Sequence, residues 1–355
     1  MSVLDDPDLL KLDVSDMFGH IRHLGTELIR AWDESAEMEI PPTATTASAV
    51  IIAGMGGSAT AGDYFAALCA STSEIPVSVV RGYSLPNYVN DRSLVVVSSY
   101  SGNTEESLSC YDDGWKRGAT VIAVTTGGQL AERGIADGVQ VQRINYQAAP
   151  RAAIAHSLAP LLRIGVQLGL CALEDDDVNA AGALHRELIE RELGAEVPHG
   201  RNGAKKLAED VLGRVAFVLG AEHLASAASR FKNQLAENGK SLGAADVLPE
   251  ADHNLIVGLG TGREAAKCVS LVTLESELYD RRTIKRFEGT GAQFDENGIP
   301  VHRIEIGGTT ILEQLLLATA WGDYVSCYLS LLHGIDPSPV PQIDRLKAAI
   351  AAERV

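Results

Sequence analysis

Two short segments of this chain carry the residue types needed to hold an anionic ester without a cluster of positive charge. The first is Gly54-Met55-Gly56-Gly57-Ser58, directly after the apolar run Ala49 to Ala53. Glycines let a backbone turn sharply and approach a ligand closely, and a helix that follows points its free N–H groups at whatever sits there. Ser58 adds a hydroxyl. The second is Ser98-Ser99-Tyr100-Ser101-Gly102-Asn103-Thr104, which ends the apolar run beginning at Leu94. Ser99, Ser101 and Thr104 can surround a phosphate with neutral donors, and the C-terminal edge of a strand is where open α/β sheets bind ligands. Thr104 has a duller use as the N-cap of a helix beginning at Glu105. The glycine segment is not a P-loop, because no GK[ST] follows. It also fails the GxGxxG spacing of dinucleotide folds, since the third glycine would fall at Ala59.

Such loops work only if strands and helices hold them. From Leu9 to Glu37 the apolar positions Met17, Ile21, Leu24, Leu28 and Ile29 fall on one helical face. Short apolar runs follow at Ala49 to Ala53, Pro76 to Val80, Leu94 to Ser98, Ala119 to Val124 and Gly138 to Ile144, with helix-length segments between them. That alternation predicts a parallel sheet covered on both faces. Ala152 to Leu173 is the most apolar stretch. His156, Arg163 and Gln167 interrupt it, which predicts a buried helix and not a membrane span. Leu173 to Gly203, opening on Glu174-Asp175-Asp176-Asp177, reads as the hinge. Strands are then expected at Val215 to Leu219, Asn254 to Leu259, Val269 to Leu274 and Ile299 to Ile306, with a helix from Leu312 to Leu332. The expected architecture is therefore α/β in two doubly wound units, residues 1–195 with a leading helix and residues 196–355 with the C-terminal helices.

Composition narrows the function. The chain has 355 residues, 46% hydrophobic, 22% charged and 5% aromatic, as in an ordinary globular protein. Its net charge of −17 repels nucleic acid and anionic lipid at long range, so neither is expected as a partner. The five cysteines (Cys69, Cys110, Cys171, Cys268, Cys327) are scattered, with no CxxC, which predicts reduced thiols in the cytoplasm. The start, Met1 to Asp6, is acidic where a signal peptide is basic. No histidine pair has HxH or HExxH spacing, so no metal or other cofactor is expected.

The pairing of GMGGS with SYSGNT resembles the sugar isomerase (SIS) domain. Four further segments are similar to one branch of it, the bifunctional phosphoglucose/phosphomannose isomerases. They are Pro150-Arg151-Ala152-Ala153, Glu237-Asn238-Gly239-Lys240, Pro249 to Asn254, and the tail Gly334-Ile335-Asp336-Pro337 with Val340-Pro341 and Ile343 to Lys347. The resemblance runs in order over nearly the whole chain. It implies two SIS-type domains and a metal-free aldose–ketose isomerisation of hexose 6-phosphates through a cis-enediolate. Glu237 matches the family's catalytic base, Arg151 the residue that stabilises charge near C1 and C2, and His253 the histidine of ring opening. Lys347 matches a residue at the sugar ring. Ser58, Ser99, Ser101 and Thr104 match the phosphate set, with Gly56 and Gly57 shaping the loop. A homodimer is implied too, its active site completed by a histidine of the neighbouring subunit.

Two alternatives stay within the same fold. One is an isomerase or deaminase of another phosphosugar, such as an aminosugar phosphate. The other is a non-catalytic sugar-phosphate sensor, which usually carries a basic DNA-binding helix-turn-helix. The N-terminal segment here is short and acidic.

Overall fold

Residues 2–261 and 265–352 are described by the computed structural model. After two short 3-10 turns, α1 (Met17–Glu34) begins where the Asp13 carboxylate accepts from the N–H groups of Met17 and Phe18. It buries Met17, Ile21, Leu24 and Leu28, the stripe its sequence spacing predicts. Five strands and their helices follow: β1 (Ala49–Gly54), α2 (Gly56–Cys69), β2 (Val77–Val80), β3 (Ser93–Ser98), α3 (Glu105–Lys116), β4 (Thr120–Thr125), α4 (Gly128–Ala136) and β5 (Gln140–Arg143). All pairings are parallel and the spatial order is β2-β1-β3-β4-β5. The order reverses between β1 and β3, so the two loops singled out from the sequence flank the switch point of the sheet.

The chain continues through α5 (Ile154–Gln167), α6 (Asp175–Leu188) and α7 (Gly203–Val211) into a second sheet. That sheet comprises β6 (Val215–Ala221), α8 (Ala225–Glu237), β7 (Gly243–Leu248), α9 (Ala265–Cys268), β8 (Val269–Glu275), α10 (Arg281–Glu296) and β9 (Val301–Glu305), and α11 (Ile311–Leu332) and α12 (Pro341–Ala352) close the chain. It is again wholly parallel, in the order β7-β6-β8-β9. The structure is thus two parallel sheets flanked by helices, as expected.

Two expectations need correction, and a third gains detail. Asn254 to Leu259 is not a strand; Leu255–Thr261 is a 3-10 helix. The place beside β6 is taken by Gly243–Leu248, in register from Ala216↔Gly243 to Ala221↔Leu248. Leu255 and Leu259 instead cover Phe217 and Phe294 as a lid on the sheet. The segment from Leu173 to Gly203, read as the hinge, is largely helical. Nearly half of it is α6, started by a reciprocal capping box between Glu174 and Asp177 and packed on α1 and α11, and a further helical turn, Ile189–Leu193, continues it. Finally, the leading helical segment is broken at residues 13–16, where Asp16 takes a left-handed conformation.

One continuous apolar core runs from α1 and one face of the first sheet through α5, α8 and α11 to the second sheet. A smaller core lies on the other face of the first sheet beneath α3 and α4. Among the described residues α11 is the one helix long and apolar enough to cross a membrane. It is 89% buried within this fold, packed on α6, α7 and α8.

Candidate active site

The phosphate-type loops lie at the C-terminal edge of the first sheet. Gly56 opens α2 with φ +52°, a conformation that glycine adopts without strain. A Cβ on Gly57 would lie 2.9 Å from the Pro150 carbonyl oxygen and 3.4 Å from Arg151 Cα. A bare glycine there lets the arginine segment close onto the first turn of α2. Ser58, 6% exposed, faces inward from that turn. In the neighbouring loop, Ser99 Oγ donates to Thr104 Oγ1 at 3.0 Å. Thr104 is the N-cap residue of α3, yet its side chain makes no capping hydrogen bond. Its hydroxyl therefore belongs to the loop and not to the helix end. Ser101 Oγ, on an exposed residue, accepts from Asn103 N–H at 3.3 Å. Gly102 (φ +68°) lies against Gly127, whose carbonyl oxygen would be 1.8 Å from a Cβ.

Arg151 is 4% exposed, and its guanidinium makes three hydrogen bonds. Nε donates to Asn238 Oδ1 at 2.5 Å, and Nη2 donates to the carbonyls of Pro337 and Ser338, each at 2.9 Å. Nη1 is left facing Glu237 Oε2 at 3.6 Å. Burial pulls the guanidinium below the ordinary arginine range, and the Glu237 carboxylate opposes that shift. A planar fork with five donors suits this task; an ammonium cannot meet all these partners at once. Glu237 ends α8 and its side chain is 32% exposed, so it is the accessible member of the pair.

Behind this pair stands a buried polar network. Arg230 (3% exposed) binds both carboxylate oxygens of Asp323 (1% exposed) at 3.0 and 3.1 Å and donates to the Arg151 carbonyl at 3.0 Å. Gln234 donates to Asp323 Oδ1 at 2.6 Å. Asn238 donates to Ser326 Oγ at 3.1 Å. These groups tie the last turns of α8 to α11, so Glu237 and the Arg151 guanidinium share one mount.

Glu237 and Arg151 are brought together; His253 and Lys347 are not. Leu235, on the last turn of α8, sits 3.0 Å from a Cβ placed on Gly243, the first residue of β7. Glu237 is therefore at the N-terminal edge of the second sheet. His253 lies beyond the other end of β7, in the 3-10 turn Glu250–His253. Six strand residues separate the two ends, roughly 17 Å at 3.3 Å per residue. Asp252 anchors that turn to α10 through Arg286 (2.8 Å) and Thr290 (2.6 Å). Lys347 is on α12, where residues 341–350 are all exposed.

The sequence reading gave no role to Asn238, Lys240 or the Pro337-Ser338 carbonyls. Asn238 and Lys240 sit inside the segment quoted for Glu237, and the tail carbonyls are backbone atoms that no residue type announces. Among the described residues no group of three or more His, Cys, Asp or Glu side chains is arranged to hold a metal ion. The C-terminal edge of the second sheet carries a cavity of about 550 Å³ walled by Glu275, Glu277 and Glu305. Glu275 is paired with Arg303 at 3.1 Å, and Glu277 and Glu305 leave this edge acidic, unlike the hydroxyl-lined edge of the first sheet.

Paired loops, a switch point and a second parallel sheet define a SIS-domain protein. Residues 45–134 match the SIS domain model, and residues 201–350 match the model described as bacterial phospho-glucose isomerase C-terminal SIS domain. A bifunctional phosphoglucose/phosphomannose isomerase of Caldicellulosiruptor bescii is 35% identical over 336 residues, 94% of this chain and 99% of that protein. One from Thermoplasma acidophilum is 29% identical, over 86% of this chain and 91% of its own length. A solved glucose-6-phosphate isomerase-like protein of Thermus thermophilus has the same fold, with a TM-score of 0.63 and 18% identity, over 96% and 99% of the two chains. This chain belongs to the bifunctional phosphoglucose/phosphomannose isomerase family.

Proposed function

We propose that this protein interconverts glucose 6-phosphate or mannose 6-phosphate with fructose 6-phosphate, in the cytoplasm, through a cis-enediolate. The observation that carries the reading is the Glu237–Arg151 pair, an accessible carboxylate 3.6 Å from a buried guanidinium braced through Nε and Nη2. In the open-chain sugar, Glu237 takes the proton from C2 and returns it to C1. The electron pair left behind spreads onto the carbonyl oxygen O1, where Arg151 Nη1 meets the negative charge, and the O2 hydroxyl proton passes to O1 as the C2 carbonyl forms. The phosphate is held by Ser58, Ser99, Ser101 and Thr104 with the N–H groups of the first turn of α2. These donors lie at the loops of the first sheet, whereas Glu237 comes from the second, so substrate bridges the two halves.

Ring opening needs an acid and a base. His253 is at the wrong end of β7 to serve its own chain's Glu237, which favours a homodimer in which each subunit lends its His253 to the other. The exposed α12 carries Ile343, Leu346 and Ile350, at 38%, 61% and 50% exposure, one helical turn or two apart. Such a stripe on a helix that touches little of its own chain suits burial between copies. We read Lys347 on the same helix as reaching the sugar ring through that assembly.

The test is a coupled assay with mannose 6-phosphate and, separately, glucose 6-phosphate, in the presence of EDTA, alongside Glu237→Gln. Turnover that resists EDTA and collapses in the variant supports the reading, and the ratio of rates names the preferred epimer. Phosphosugar binding without turnover of either sugar would leave a sensor or an enzyme for another phosphosugar.

A further inference from the structure

We propose that Lys240 is a positioning residue for the enediolate step, locking the base and the guanidinium clamp to one another. The inference rests on the isomerase reading of the same site. Lys240 is half-buried and takes φ +51°, in the left-handed region that a side chain with a Cβ rarely enters. Strained conformations persist where their surroundings over-determine them, and they collect at functional sites. The surroundings here are specific. The Lys240 ammonium donates to the Glu237 backbone carbonyl and to the Pro337 carbonyl, the latter at 2.8 Å. That Pro337 oxygen is the one that accepts from Arg151 Nη2 at 2.9 Å.

One carbonyl thus receives two cationic side chains, and one of those cations also grips the backbone of the catalytic base. Burial disfavours the ammonium and lowers its pKa, repulsion from Arg151 across this oxygen adds to that, and Asp336 and Glu237 oppose the shift only in part. A lysine kept in such a place by two carbonyl acceptors gives the Pro337-Ser338 segment a second anchor. Without it, the hydrogen bond that the Pro337 carbonyl accepts among the described residues comes from Arg151 alone. The guanidinium then gains freedom at the moment when it must meet a developing oxyanion. The phosphate loops lie on the first sheet and share none of these contacts.

The experiment compares wild type with Lys240→Met, Lys240→Gln and Lys240→Arg by steady-state kinetics on mannose 6-phosphate. It also measures the binding of arabinonate 5-phosphate, a five-carbon aldonate whose carboxylate carries charge where the enediolate would. Lys240→Met lowers kcat by about 10- to 100-fold with KM within threefold, because the loss falls on the charged intermediate and not on phosphate anchoring. Its affinity for the aldonate falls by a similar factor while its affinity for inorganic phosphate holds. Lys240→Gln, which keeps one donor, loses less, and Lys240→Arg restores most of both quantities.

Unchanged kcat and aldonate affinity in Lys240→Met overturn the proposal. So do equal losses of aldonate and inorganic phosphate affinity accompanied by a lowered melting temperature, the pattern of a general structural role. The isomerase reading fails separately: wild type then turns over no hexose phosphate. If wild type still binds the aldonate more tightly than phosphate, the Lys240 comparison is decided by binding alone. If it does not, both fall.

Discussion

Replacing Arg151 by lysine keeps a positive charge in the site and removes the shape that directs it. The guanidinium spends three N–H bonds on fixed partners, namely Asn238 Oδ1 and the carbonyls of Pro337 and Ser338. Nη1 is thereby aimed at Glu237 and the space beside it. An ammonium has three donors radiating from one atom. It can satisfy the tail carbonyls or face the enediolate, but it cannot do both with aligned bonds. Losing one preorganised donor to an oxyanion in a dry site costs about 3–4 kcal/mol of transition-state stabilisation, or about 10²–10³ in kcat. The phosphate contacts are on other residues, so KM moves by about threefold or less. The assay follows fructose 6-phosphate formed from mannose 6-phosphate, and in D₂O the solvent label entering C1 isolates the proton-transfer step. An Arg151→Lys enzyme that keeps more than a third of the wild-type kcat would refute the reasoning, since charge alone would then be enough.

Three other outcomes are expected. Asp323→Ala strands Arg230, 3% exposed, and breaking a buried pair costs about 3–5 kcal/mol. Over 355 cooperatively melting residues that is roughly 4–7 °C of Tm, and the double variant Arg230→Met with Asp323→Leu should regain most of it; a single variant that melts like wild type would contradict this. His185 is fully buried with no hydrogen-bond partner among the described residues, and burial lowers its pKa to about 4. The unfolded chain binds that proton near pH 6.5 and the folded chain does not, so stability is complete above pH 6.5 and declines as pH falls toward 4. At pH 5 the deficit is about 2 kcal/mol, and denaturant titrations of His185→Leu at pH 7 and pH 5 should show a shallower acid decline than wild type. Gly102→Ala forces a Cβ to 1.8 Å from the Gly127 carbonyl oxygen at a positive φ, so phosphate binding by calorimetry should weaken at least tenfold as the loop is displaced; intact binding would mean the loop is not the phosphate site.

Much of the fold was legible because its signals are local. Runs such as Leu94 to Ser98, buried on both faces of a parallel sheet, are continuous apolar stretches, and the glycine and hydroxyl loops follow them directly. Strand β7 was not legible. Gly243-Ala244-Ala245-Asp246 has small, weakly strand-forming side chains on a half-exposed edge, and its place is set by pairing with β6, not by propensity. Asn254 to Leu259 misled for the opposite reason: its apolar residues cap a sheet instead of joining it. The candidate site divides along the same line. Glu237, Arg151 and the phosphate loops follow from motifs. The clamp of Pro337 and Ser338 is made of backbone carbonyls, and the Arg230–Asp323 mount joins helices far apart in sequence. The opposed positions of Glu237 and His253 depend on which way β7 runs, which no residue type encodes.

The bond from Arg151 to the Pro337 carbonyl spans 186 residues, and this sets an order of events during synthesis. A chain made at 5–20 residues per second presents its first sheet, its phosphate loops and Arg151 roughly 10–40 s before the tail that braces the arginine exists. Until then Arg151 has neither Asn238 nor the Pro337 carbonyl to hold it, so the clamp forms only as the second half of the chain arrives.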